Sequence, residues 1–251
     1  MTGSALFYNT LRAYLVYQLI LSNLTNVDLD REWDASETAC LLAKTLDVEN
    51  PLNIIRRLST LLRDERSIII GAGPSLEEEG VSRIVSFEYR SIFCADGACR
   101  VLSREMCSKD LMCVYVGDLD GGLESLLRIL EYGGYGFIHF HGDNYQSISS
   151  NIYHLRPYRD KIVFTIQTIP VCDRVMIVPG FTDGDRAYMI AKILGTRVYS
   201  TIGMDLESEF TSRYSKPYLL QKTPLSISKR EKLRWAKRVL DYLYYDLIHE
   251  F

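Results

Sequence analysis

Seven short apolar runs, each leading into a cluster of glycines or carboxylates, constrain this chain more than any other feature. Ser67–Ile70 leads into GAGPS, Ser91–Cys94 into ADGA, and Met112–Val116 into GDLDGG. Gly136–Phe140 leads into HGDN, Lys161–Phe164 into TIQT, Val175–Val178 into PGFTDGDRA, and Arg197–Tyr199 into STIGMD. Runs of this length, rich in Ile, Val and aromatics and bounded by turn residues, predict buried strands. Helical spacing between them predicts crossovers, and so an α/β fold: a mostly parallel, Rossmann-like sheet flanked by helices. Ligands of such sheets bind beyond the carboxyl ends of the strands, where this chain concentrates its polar chemistry.

Two crossover helices are explicit. Leu123, Leu126, Leu127 and Leu130 share one helical face before Gly133-Gly134, and Ala187, Ile190, Ala191 and Leu194 do so before Gly195. Residues 1–65 have no strand pattern and read as a small helical N-terminal unit. Leu11, Tyr14, Leu15, Gln18 and Leu19 are spaced for one helix, Ala35–Leu46 for another, and Pro51 opens a third. Residues 66–251 then form the catalytic domain, ending in a long helix over Ser226–Phe251. The first half of that helix is basic, which suits either a solvated face or a neighbouring polyphosphate, since cations at a helix N-terminus oppose the macrodipole.

The 251 residues are enough for a substantial core, and a net charge of −3 gives no basic field for nucleic acid. No basic-then-apolar leader and no membrane-length apolar run occur, so a cytoplasmic chain with no membrane partner is expected. Cys40, Cys94, Cys99, Cys107, Cys113 and Cys172 form no C-x-x-C pair and are expected to be reduced thiols packed as small core residues. Homo-oligomerisation is left open.

The chemistry begins at Gly71-Ala72-Gly73-Pro74-Ser75, where glycines would let backbone N–H groups approach a phosphate. It is neither a Walker A loop nor a full dinucleotide fingerprint. Asp118 and Asp120, two residues apart after a strand, suit a divalent cation. Asp96, Asp143, the pair Asp183 and Asp185, and Asp205 follow other strands. Carboxylates gathered at one sheet edge repel one another unless cations neutralise them, and hard oxygen ligands favour magnesium over zinc. Of His139 and His141, one is expected to orient a substrate or phosphate and the other to be packed. Carboxylates beside a glycine turn fit phosphoryl or pyrophosphoryl transfer from a nucleotide, and the spacing does not choose the acceptor.

GAGPSL, ADGA, GDLDG, HGDN, GFTDGDRA and GMD…YSKP, in this order, resemble the archaeal 6-hydroxymethyl-7,8-dihydropterin diphosphokinases over nearly three quarters of the chain. ADGA and GDLDG are shared more loosely with thiamine diphosphokinases. The resemblance implies that ATP donates its terminal diphosphate to the pterin hydroxymethyl oxygen with Mg2+, in a folate- or methanopterin-type pathway. It implies Gly71–Ser75 beside the nucleotide phosphates, and Asp118 and Asp120 on magnesium with Asp96 nearby. Asp143 lies close to these, grouped with Asp118 and Asp120 as catalytic, while Asn144 of the same HGDN segment joins the nucleotide side. Asp183 and Asp185 would contact metal or nucleotide, and Lys216 would face phosphate. His141, Gln167 and Thr168 fall to the pterin side. The family more often has threonine or serine where this chain has Gly117, which brings it closer to the thiamine enzymes. A thiamine diphosphokinase and a catalytically silent nucleotide-binding module are the alternatives, with a glycosyltransferase relative more remote.

Overall fold

A computed structural model describes residues 15, 17–22, 27–80, 82–85, 88–107 and 110–248. The anticipated helical residues Leu11 and Tyr14, and the last residues of the C-terminal helix, lie outside that set.

The seven predicted strands are all present: β1 Arg66–Ile70, β2 Ser91–Ala95, β3 Met112–Gly117, β4 Tyr135–Phe140, β5 Ile162–Ile166, β6 Val175–Ile177 and β7 Arg197–Ile202. They form one sheet in the order β6-β5-β4-β3-β2-β1-β7, with every pairing parallel. β1 to β5, buried on both faces, read as continuous apolar runs, whereas the edge strand β7, also expected to be buried, alternates exposed and half-buried residues. The first six strands march outward in sequence, and the chain then crosses back so that β7 lies on the other side of β1. The reversal between β1 and β7 is the topological switch point, where open α/β sheets leave a crevice. A separate two-stranded antiparallel ribbon, β8 Phe210–Thr211 with β9 Thr223–Pro224, was not legible as strands.

Besides helical residues 17–22, the described helices include α1 Leu29–Thr45, α2 Pro51–Leu62, α3 Ser75–Glu79, α4 Ser82–Val85, α5 Leu123–Glu131, α6 Tyr145–Asn151, α7 Asp183–Ile193 and α8 Ile227–Ile248. Alternation along the strands sorts two cores. Ile68, Ile70, Cys94 and Tyr115 face a layer containing α1 and α3 to α6, whereas Ile69, Phe93, Val114 and Val116 face α2 and α7. Thus α1 and α2 cover opposite faces of the sheet. In α2, Pro51 occupies the first turn, the Asn50 side chain accepts the Leu52 N–H at 3.0 Å, and Ile54, Leu58 and Leu62 are buried. Burial of each such side chain stabilises by roughly 1.5–3 kcal/mol.

One expectation is corrected here. The cysteines are paired, Cys40 with Cys172, Cys94 with Cys99 and Cys107 with Cys113, at Cα separations of 6.0, 5.2 and 5.5 Å. C-x-x-C spacing is not needed, because the 3-10 helix Asp96–Val101 folds back on β2, and α1 packs near the segment after β5. The packing part of the reading stands, since Cys94, Cys99 and Cys113 are buried in the core.

Candidate functional site at the switch-point edge

Strand register brings the first carboxylates together. Ala95 pairs with Val116 and Gly117 with Ile138, so Asp96 and Asp118 leave neighbouring strands side by side. Asp96 is buried and held at φ +38°, in the sparsely populated left-handed region. Its two oxygens accept from the Tyr115 hydroxyl at 2.5 Å and from the Gly121 N–H at 2.6 Å. A Cβ at position 117 would strike Asp96 and the Tyr115 hydroxyl, so this pair requires glycine there.

Asp118 is fixed by two hydrogen bonds. Its Oδ1 accepts the Asp120 N–H at 3.1 Å, and its Oδ2 lies 3.3 Å from His141 Nε2. The Asp143 N–H donates to His141 Nδ1 at 3.2 Å, so Nδ1 is the acceptor and Nε2 carries the proton toward Asp118. Burial alone would raise the Asp118 carboxyl. The hydrogen bonds from His141 and the Asp120 N–H, with the Lys216 ammonium, instead hold it well below the usual range. His139 is fully buried, its Nδ1 3.0 Å from the Thr165 hydroxyl, and burial together with Arg186 keeps it neutral. His139 is thus packed in the core, and His141 is turned to the Asp118 carboxylate.

The third member comes from the crossover that carries the chain from β6 back to β7. At the start of α7, Thr182 caps the helix and Asp185 completes a capping box. This leaves Asp183 in the first turn, with ligand oxygens of Asp96, Asp118 and Asp183 all within 4.8 Å of one another. Burial, then the Asp118 charge, pushes Asp183 up to about 7 despite the ion pair to Arg186 at 3.4 Å. Asp96 is also raised, by burial and by its carboxylate neighbours. Three hard oxygen donors that resist simultaneous ionisation fit a divalent cation such as magnesium.

Several anticipated residues take other positions. Asp120 is half exposed and pairs with Lys216, outside the three-carboxylate cluster. Asp185 is engaged by the N–H groups of Phe181 and Thr182 and by the Thr182 hydroxyl, at 2.7–2.8 Å. Asp143 is exposed and pairs with Arg31 at 3.2 Å. Asn144 braces the HGDN turn, accepting from His141 N at 2.9 Å and donating to the His139 carbonyl at 2.7 Å. The N–H groups of Gly71 and Gly73 are committed to the carbonyls of Ile202 and Gly203, each at 2.8 Å, and that of Ser75 to Asp205 at 2.8 Å. Glycine is required at 71 and 73 because a Cβ would meet Gly203 and Asp205 after β7, not because these N–H groups cradle a phosphate. Gly71–Gly73 still line the crevice.

Two connected cavities meet at the carboxylates. One of about 110 Å³ lies between the glycine loop and the turn after β7. The other, about 610 Å³ and within the range of small-molecule sites, opens toward His141, Gln167 and α1. Asp118, Asp183, Lys216 and Lys229 line both. Gln167 is buried, its Oε1 accepting from Tyr17 and from Arg186, each at 3.2 Å. The Thr168 hydroxyl is turned to the Glu32 carbonyl at 3.5 Å. On α8, Lys232 lines the larger cavity, and burial followed by the charges of Lys229 and Arg186 lowers its ammonium. Lys229 and Lys232 were legible only as members of a basic run, and Glu32 was not legible at all.

Comparison with known proteins decides the lineage. A family model described as "6-hydroxymethylpterin diphosphokinase MptE-like" matches residues 41–209, more than half of the chain. The chain belongs to this MptE-like family. It is 32% identical over 205 residues to the 6-hydroxymethyl-7,8-dihydropterin pyrophosphokinase of Pyrococcus furiosus, covering 82% of this chain and 83% of that protein. The enzyme of the same name from Methanothermobacter thermautotrophicus is 34% identical over 178 residues, 70% of this chain and 72% of the relative. That of Methanocaldococcus jannaschii is 29% identical over 223 residues, 85% and 88% of the two chains. The family match begins inside α1 and ends before α8, so the MptE-like core takes in the whole sheet and all three clustered aspartates.

Proposed function

We propose that this chain transfers the terminal diphosphate of ATP to the hydroxymethyl oxygen of 6-hydroxymethyl-7,8-dihydropterin, releasing AMP, as a step of folate- or methanopterin-type cofactor synthesis. In the transfer a bond forms between the hydroxymethyl oxygen and the β-phosphorus, the bridge to the α-phosphorus breaks, and the hydroxyl proton is lost. The observation that carries this reading is the Asp96–Asp118–Asp183 cluster at the carboxyl edge of the sheet, with Asp118 and Asp183 lining both adjoining cavities, in a chain of the MptE-like family.

Magnesium held by Asp96, Asp118 and Asp183 would neutralise charge on the transferred phosphates. The remaining work belongs to the chain. Lys216, held protonated by Asp120, Asp118 and Asp96 against its own burial, supplies a fixed positive charge beside the cluster. Lys229 and Lys232 present further cations, and their mutual repulsion favours a bound polyanion. His141 donates to Asp118 and fixes its orientation. The crevice beside the glycine loop receives the nucleotide, and the larger cavity receives the pterin. The basic half of α8 is thus read as facing polyphosphate rather than only solvent.

The test is product analysis with ATP, Mg2+ and 6-hydroxymethyl-7,8-dihydropterin, with thiamine in a parallel reaction. AMP together with a diphosphorylated pterin is expected. AMP with thiamine alone would move the acceptor, and ATP binding with neither product would leave a silent nucleotide-binding module.

A further inference from the structure

Helix α1 buries Glu32, Ala35, Ser36, Ala39, Cys40 and Ala43, and Glu32 is the one charged residue on that face. At 5% exposure, a carboxylate is costly to bury without partners. Its Oε1 accepts the Gly142 N–H at 3.0 Å, while the neighbouring Arg31 turns to Asp143. Among the described residues no cation is paired with Glu32. The helix reaches the HGDN turn so closely that a Cβ at Gly142 would collide with Arg31 and crowd Glu32.

Glu32 lines the larger cavity, as do Lys216, Lys229 and Lys232. A carboxylate only accepts hydrogen bonds and matches two adjacent N–H donors bidentately. The 2-amino-4-oxopyrimidine half of a pterin presents such an edge, with N3–H beside the 2-amino group. Its hydroxymethyl group lies at the opposite end of the bicycle.

We propose that Glu32 is the residue that selects the acceptor, its carboxylate taking hydrogen bonds from N3–H and the 2-amino group of the pterin ring. This rests on the pterin reading of the cavity and adds the group that recognises the ring. An aminopyrimidine that places a ring acceptor beside its amino group, as thiamine does, satisfies only half of the match.

The experiment measures binding of 6-hydroxymethyl-7,8-dihydropterin and its 2-oxo counterpart, which replaces one donor with an acceptor. The full chain is used with Mg2+ and a non-hydrolysable ATP analogue. Wild type is expected to prefer the 2-amino ligand by about 10- to 100-fold, the range for hydrogen bonds to a charged group. Glu32→Gln is expected to bring the two ligands within about 3-fold, since one charge-assisted bond is lost. Its affinity for the ATP analogue and its Tm should stay near wild type, and Glu32→Asp should retain part of the preference. Unchanged discrimination in Glu32→Gln overturns the proposal, as does a wild type that diphosphorylates the pterin without preferring it. If Glu32→Gln fails to fold, the wild-type ratio and Glu32→Asp decide. A wild type that forms no pterin diphosphate removes the underlying reading and this proposal together, which separates the two failures.

Discussion

The turn after β3 and the turn before α7 each carry two aspartates two residues apart, GDLD and TDGD, and each divides them differently. After β3, Leu119 adopts φ +65°, Asp118 stays in the cluster, and Asp120 swings out to Lys216. Before α7, Thr182 fixes the helix start, Asp185 becomes the inward-turned member of a capping box, and Asp183 enters the cluster. Equal spacing therefore does not mean equal roles. Position relative to a helix cap or a left-handed residue decides which carboxylate is left for a ligand.

The largest expected effect tests that division directly. Asp118→Asn and Asp183→Asn should each lower turnover by about 1,000-fold or more, because metal stabilisation of transferring phosphates is worth several kcal/mol. Asp185→Asn should leave turnover within about 10-fold once folded, since its oxygens meet only the capping box. Steady-state AMP release measures all three, and equal losses for Asp183 and Asp185 would break the comparison.

Next come stabilities. Thr182→Ala should cost about 1–2 kcal/mol through loss of the cap. Asp120→Asn should change stability by under about 1 kcal/mol, because its pair with Lys216 is half exposed. Urea unfolding of the metal-free proteins ranks them.

The smallest effect is a slope with pH. Asp183 has its folded value raised to about 7, against about 3.9 when unfolded. Between those values the native state binds the extra proton. Its contribution to stability is complete below about pH 4 and is lost as pH rises through about 7. Asp96, raised in the same direction, adds to the trend. Asp118 opposes it only in acid, since its contribution is present above about pH 3.9 and is lost as pH falls further. In EDTA, Tm should fall from pH 4 to 7, and Asp183→Asn should flatten that fall. An unchanged slope in the variant would contradict the burial argument.

These allocations show where sequence reading reaches and where it stops. The sheet was legible because seven apolar runs bounded by turn residues fit the signature of buried parallel strands. The carboxylate edge was legible because Asp96, Asp118 and Asp183 each follow a strand. Gln167, assigned from the sequence to the pterin side, lines the larger cavity, and its contacts with Tyr17 and Arg186 required the fold. The division between Asp120 and Asp183 was not legible, since it depends on one backbone angle and one cap. Nor were the disulfides, which join segments that only the folded-back turns bring together. Helix α1 was expected to begin at Ala35, whereas Asp28 caps it and accepts from Asp30 and Arg31. That earlier start brings Glu32 onto the buried face and against the HGDN turn.

Divalent-metal binding by wild type, Asp183→Asn and Asp185→Asn, followed by Mn2+ titration with paramagnetic detection, tests the central assignment most directly. The account predicts a wild-type site that Asp185→Asn retains and Asp183→Asn weakens by at least about 10-fold, the loss of one charged ligand. Retention of full affinity by Asp183→Asn, with loss in Asp185→Asn, would contradict it.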